Sequence, residues 1–155
     1  MSAPSKRQMK AASRLYAVQA LFQMEASDAP MEEVRDEFLT HRFGEIMEEG
    51  EFAEGDPDLF DKILSAAVKN QARIDQMTHR GLVAKWAIAR IDPTLRALFR
   101  AAGAELIGDY TPPKVAINEY VDLAKAFFPE GREPKFVNAV LDHMAREAKP
   151  EAFAK

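Results

Sequence analysis

The residues that most often carry enzyme chemistry are either missing from this chain or wrongly spaced for it. Its 155 residues include no cysteine, which removes thiolate nucleophiles, thiolate metal sites and disulfides. The three histidines, His41, His79 and His143, lie far apart. None stands in an HExxH or ExxH pattern, so neither a zinc site nor a di-iron bundle centre is expected. No phosphate loop, dinucleotide fingerprint or GxSxG nucleophile elbow occurs. Adjacent acids such as Glu32-Glu33 and Glu48-Glu49 would point away from each other on a helix, which suits solvated surface rather than an acid/base pair. The sequence predicts no catalytic residue, no metal ligand and no cofactor, and it directs attention to binding.

Two sets of residues have the charge and spacing to hold an anion. Arg7, Lys10 and Arg14, with Lys6 beside them, fall at i, i+3 and i+7, one stripe of a helix next to the apolar face of Ala11, Leu15, Val18 and Phe22. Such a stripe can follow a line of phosphates while the adjoining face packs, and the same spacing also suits an ordinary solvated face. The second set comprises Lys114, in Thr111-Pro-Pro-Lys114, and Lys135, in Pro134-Lys-Phe136. Both stand at expected helix starts, where free backbone N–H groups favour anions. A lysine there opposes the helix dipole, which invites an anion partner, while simple tolerance of a surface lysine explains both positions equally well. Phe136 follows the apolar period and fits a core position better than base stacking.

These residues must be positioned by helices, because every segment cut out by the nine prolines and seven glycines carries the helical period. The first segment runs from about Ser5 to Glu25. The second starts near Asp28 and Pro30 and carries Val34, Phe38 and Leu39. Asp56-Pro57 is a cap followed by proline at the first helical position, and the period then continues through Phe60, Ile63, Leu64, Ala67, Ile74 and Met77 to about His79. A short piece carries Trp86, read as a bundle anchor, with Ile88 and Ile91. Asp92-Pro93 repeats the cap signal ahead of Leu95 to Leu106. Thr111-Pro112 opens a helix through Phe128, and a last one carries Phe136 to Met144. No stretch alternates with period two and no Asn-Gly or Asp-Gly turn occurs. The expected fold is all-α, about seven helices in one domain spanning 1–155.

Hydrophobic residues make up 47% and charged residues 30%, a globular composition without the roughly 20-residue apolar run of a membrane span. The net charge of −4 is unevenly spread. Residues 1–25 carry +3, residues 26–61 carry −11 and residues 62–155 carry +4. Acidity is thus concentrated around a glycine-punctuated stretch at about 44–58, read as an exposed loop or frayed helix. The rest of the chain is basic and compatible with a nucleic-acid partner. The absence of cysteine and of a signal-type apolar segment points to the cytoplasm.

The ordered words of the chain resemble the NusB family of transcription antitermination factors. Arg14-Leu-Tyr-Ala-Val-Gln-Ala-Leu-Phe22 is similar to that family's opening helix. Trp86-Ala-Ile-Ala-Arg90 and Leu98-Phe-Arg-Ala-Ala-Gly-Ala-Glu-Leu106 resemble its central helices. Pro113-Lys-Val-Ala-Ile-Asn-Glu119, Val121-Asp-Leu-Ala-Lys125 and Lys135-Phe-Val-Asn-Ala-Val-Leu-Asp142 resemble its closing pair. The resemblance implies two packed three-helix subdomains, here about 1–80 and 81–150, and no catalysis. It implies binding of the boxA element of ribosomal-RNA transcripts together with the ribosomal protein NusE, within an RNA polymerase antitermination complex, and no membrane or DNA partner.

Carried over by position, Lys6, Arg7, Lys10 and Arg14 resemble the RNA-binding segment, and Lys114, Lys135 and Phe136 a second RNA-proximal patch. Phe22 matches a position facing the protein partner. Asn118, Glu119, Asn138 and Asp142 match family positions and are read as fixing the last two helices. The chain departs from the family in its sparser N-terminal arginines, in Ala139 where glycine is usual, and in the enlarged acidic stretch. The same module occurs in ribosomal-RNA cytosine methyltransferases, but 155 residues leave no room for a methyl-donor domain, so methyl transfer is not expected. The competing reading is a helical adaptor that binds protein without RNA affinity, which would not need the basic stripe. On the RNA reading, all the basic site residues share one continuous face, remote from residues 44–58.

Overall fold

The computed structural model describes residues 5–41, 46–47, 50–51, 55–82 and 91–153. Among them are seven α-helices: α1 (Lys6–Ser27), α2 (Met31–His41), α3 (Pro57–Lys69), α4 (Gln71–Gly81), α5 (Pro93–Ile107), α6 (Pro113–Phe127) and α7 (Glu133–Ala148). The fold is all-α, as the periodicity indicates. Within the acidic stretch a two-residue antiparallel ladder, Ile46–Met47 on Gly50–Glu51, is the one sheet among the described residues. The segment around Trp86 and Ile88 lies outside the described residues.

Local chemistry sets the helix ends. Ser5 and Gln8 form a reciprocal cap at the start of α1, with Gln8 N–H donating to Ser5 Oγ at 3.1 Å and Ser5 N–H to Gln8 Oε1 at 2.7 Å. At the other end Asp28 takes a left-handed conformation, φ 57°, and its N–H reaches Met24 O at 2.9 Å. Asp56 and Asp92 cap α3 and α5 by accepting from Leu59 and Thr94 N–H at 3.1 and 2.7 Å. Each is followed by the expected proline.

The periodicity predicts one helix from Pro57 to about His79, and two are present. Asn70 ends α3 and opens α4 with φ −112° and ψ 21°. Its side-chain Nδ2 donates to Ala66 O at 3.0 Å, the local competition for a backbone carbonyl that makes asparagine a helix interrupter. Asn70 leaves the helical region, yet Ala67 before it and Ile74 after it are both buried, so the apolar period of the sequence runs straight through the break.

The helices form two groups around α5. Helices α1, α2 and α3 pack on one another, α7 packs between α4 and α6, and α5 contacts α1, α3, α4, α6 and α7. The expected boundary near residue 80 lies at the end of α4, which packs on α5 and α7. In the first group Phe38 stacks on Phe60 with ring centroids 5.9 Å apart, and Tyr16 tilts against Phe38 at 6.4 Å. A surface network joins the groups: Glu25 on α1 accepts from Arg96 and Arg100 on α5, and Arg100 also binds Asp75 on α4 at 2.9 Å. The Arg96 hydrogen bond holds the Glu25 carboxyl below its ordinary range. No helix among the described residues is long and apolar enough to cross a membrane.

Helix α5 is buried nearly all round because its sequence alternates bulk with small residues: Ala97, Ala101, Ala102, Gly103 and Ala104 are all buried. Gly103 marks the closest approach, since a Cβ there would run into Ile74 Cγ2 on α4. Alanine would favour the isolated helix by about 1 kcal/mol but overpack this contact by about 1–3 kcal/mol. Gly103→Ala is expected to lower stability by about 1 kcal/mol in urea denaturation with an unchanged slope; a stabilised variant would show that α4 and α5 are not in close contact.

Candidate nucleic-acid interface

Helix α1 carries the expected basic residues, but the bundle sorts them by depth. Lys6, Arg7 and Lys10 are exposed, and the Arg7 side chain is 81% accessible. Arg14 is 3% exposed. Its guanidinium makes a two-pronged bond to Glu105 on α5, Nε to Oε1 at 2.7 Å and Nη2 to Oε2 at 3.1 Å. Tyr120 on α6 donates to the same Glu105 Oε1 at 2.8 Å, and Glu119 lies 3.8 Å from Arg14 Nη1. Burial by itself would lower the Arg14 pKa, but the Glu105 hydrogen bond and charge more than offset it and raise it above the ordinary value. Burial, then the charge of Glu105, pushes the Tyr120 hydroxyl far up. The expectation that Arg14 belongs to a solvated stripe flanking the apolar face is therefore corrected. The spacing gives its direction around α1, but α5 and α6 cover the helix at that turn.

The exposed half of the stripe borders a cleft of about 400 Å³ between α1, the α5–α6 connection and the first turns of α6. Arg7 and Lys10 line one wall; Tyr110, Pro112, Val115 and Asn118 line the other. Arg7 Nε stands 3.4 Å from Glu119 Oε1, a loose contact for so exposed a side chain. Lys114 faces a neighbouring cleft of about 520 Å³ with Asn118, Asp142, Arg146 and Phe153. There Arg146 pairs with Asp142 at 2.9 Å and lies 4.6 Å from the Phe153 ring centroid. Asn118 lines both clefts, and its side chain has no hydrogen bond among the described residues. The sequence pattern suggests that it fixes the helices, but its exposure puts it on the surface. Tyr110 and Val115 escape a reading by sequence; their only signal is apolar character beside the Gly108 and Pro112 breakers.

Lys135 and Phe136 are placed elsewhere. The start of α6 meets the end of α7, as the Lys114, Asp142 and Arg146 cleft shows, so the two helices run antiparallel. The start of α7 then lies at the opposite end of α6, about 20 Å from Lys114 by helical rise. Lys135 is exposed there. Phe136 is half-buried, edge-on to Phe99 of α5 with ring centroids 6.1 Å apart. The structure thus does not join all the basic residues in one patch. Lys6, Lys10, Lys114 and Lys135 have no ion-pair partner among the described residues, which leaves four cations available to an external anion.

Phe22, 40% exposed, lines a groove of about 480 Å³ on the C-terminal half of α1, with Val18, Gln19, Phe38, Thr94 and Phe127. Phe127 is the last residue of α6, so this groove is on the Lys135 side of the bundle. Gln19 Oε1 is buried there without a hydrogen-bond partner. Most of the acidic stretch lies outside the described residues, but its end is not remote from α1. Asp56 N–H donates to Ser13 Oγ at 2.6 Å and Ser13 Oγ to Asp56 O at 2.7 Å, one turn from Lys10.

Residues 11–146 match the NusB family. The chain is 44% identical over 151 residues to the transcription antitermination protein NusB of Granulibacter bethesdensis, covering 94% of this chain and 92% of that protein. The structure of NusB from T. maritima superposes with a TM-score of 0.72 at 29% identity, over 99% of both chains. A second crystal structure, of antitermination factors NusB and NusE in complex with dsRNA, shares the fold with a TM-score of 0.71 at 22% identity, over 92% of this chain and 97% of that one.

Removing one member of a buried ion pair strands the other, which costs about 3–5 kcal/mol, whereas replacing both by apolar residues is often tolerated. Arg14→Ala should therefore lose several kcal/mol in chemical denaturation, and Arg14→Met/Glu105→Leu/Tyr120→Phe, which removes all three polar partners together, should recover most of that loss. A loss below about 0.5 kcal/mol in Arg14→Ala, usual for surface positions, would contradict the buried pair.

Proposed function

This chain belongs to the NusB family, and we propose that it acts in transcription antitermination by binding boxA RNA of ribosomal-RNA transcripts together with the ribosomal protein NusE. The observation that supports this reading is the division of α1 into two unlike surfaces. Its N-terminal turns present Lys6, Arg7 and Lys10 to solvent, and its C-terminal turns present Phe22 in an apolar groove. The first surface suits a phosphate chain and the second a protein side chain. In support, the protein of Granulibacter bethesdensis is named for transcription antitermination, and a NusB of the same fold has been solved with NusE and double-stranded RNA.

On this reading Lys6, Arg7, Lys10 and Lys114 hold the phosphates of one stretch of RNA. Lys135 and Phe136 contact the strand farther along, at the other end of α6. NusE seats on the Phe22 groove, where a donor on its surface would satisfy Gln19 Oε1. Arg14 does not touch RNA and instead holds α1 so that the exposed cations are correctly presented. A few lysines bind RNA weakly and with little selectivity, so a partner bound to the same protein supplies affinity and specificity through effective concentration. The assembly then acts on elongating RNA polymerase in the cytoplasm. No catalytic step, DNA contact or membrane contact is part of the proposal.

Replacing Lys6, Arg7 and Lys10 together by alanine is expected to weaken boxA binding and to flatten its dependence on salt. The log–log slope should fall by about 0.7 for each single-strand phosphate that the variant no longer neutralises, about two units in all. NusE binding and the melting transition should remain. An unchanged affinity and slope would favour the protein-only adaptor.

A further inference from the structure

We infer that the cleft between α1 and the start of α6 holds an unstacked RNA base, with Tyr110 and Val115 as its apolar floor and Asn118 as the group that reads the base edge. The inference rests on the RNA-binding reading above and adds what part of the RNA this cleft takes. Phosphates require only the cations of its rim. They give no reason for the floor, where Tyr110 is 37% and Val115 44% exposed. Leaving two large apolar side chains uncovered in one basic cleft is unfavourable unless something planar and apolar covers them. A base offers that face, and its backbone brings the charge that Arg7 and Lys10 complement.

The Tyr110 ring is held ready for such a contact. Its hydroxyl titrates near 12, because burial and the charge of Glu105 oppose ionisation while Arg14 partly offsets them. The ring lies so close to Gly108 that a Cβ there would overlap its Cε1 and Cδ1 carbons. Lys62 Nζ sits 5.2 Å from the ring centroid, and Asp109, the preceding residue, is tied to Lys149 at 2.6 Å. A ring fixed this way loses little freedom on binding. Asn118 lines the same cleft, with a carboxamide that can donate to and accept from a base edge and that makes no hydrogen bond among the described residues. An acidic peptide would use the basic rim but would have no need of a fixed ring or a free amide.

The test measures binding of a single-stranded boxA oligoribonucleotide at several salt concentrations to wild type, Tyr110→Ala and Tyr110→Phe. Tyr110→Ala should bind about 10-fold more weakly, within the range of base–aromatic stacking. Its salt slope should be unchanged, since no charge is removed. Tyr110→Phe should stay within about twofold of wild type. If Tyr110→Ala does not fold, the Phe variant and a covalent probe on wild type decide. With 5-iodouridine placed at each position of the RNA in turn, irradiation should attach one position to Tyr110. Failure of wild type to bind the RNA would sink the RNA reading itself. Salt-dependent binding that Tyr110→Ala leaves intact, or cross-links that avoid Tyr110, would overturn the base site alone.

Discussion

A buried guanidinium must have its charge and hydrogen bonds met by the protein, and the Arg14–Glu105 pair that does so is the contact on which this bundle's arrangement of surfaces depends. The two-pronged bond fixes both the depth and the rotation of α1 against α5. Tyr120 closes the remaining side from α6. Three helices are thereby set at one point, with Lys10 one turn toward the N-terminus and Val18 one turn toward the C-terminus. The exposed basic half and the apolar groove half of α1 are consequences of where that point falls along the helix.

The pair can exist because α5 lets its neighbours come close. Its run of alanines and Gly103 brings α4 against one side while α1 and α6 approach the others. Glu105 is the buried exception in that run of small residues, and its charge also reaches Tyr110 at the surface.

The fold is legible in the sequence where local chemistry decides it. Ser5, Asp56 and Asp92 announce helix starts, and the apolar periods of α1, α5, α6 and α7 are unbroken. The α3–α4 break is not legible, because Ala67 and Ile74 on its two sides are both buried at helical spacing and the pattern does not register Asn70. The site is legible in part. Periodicity reports a side chain's direction around a helix but not how deeply its neighbours cover it, so Arg14 reads the same as Arg7. Lys114 and Lys135 carry the same local signal, and only the antiparallel return of α7 separates them. Tyr110, Val115 and Asn118 become a set only when the α5–α6 connection folds back beside α1.

On the proposed function, helix α1 divides its arginines between holding the fold, the task of Arg14, and meeting RNA, the task of Arg7. The arginine Nε–H NMR spectrum of the whole protein, recorded with and without boxA RNA, tests that division most directly. The Arg14 Nε–H signal should be present and slow to exchange with water, because its proton is bonded to Glu105 in a dry site, and it should scarcely move when RNA is added. The Arg7 signal should exchange rapidly and shift with RNA. An Arg14 proton that exchanges as fast as that of Arg7, or that responds to RNA as strongly, would contradict the division.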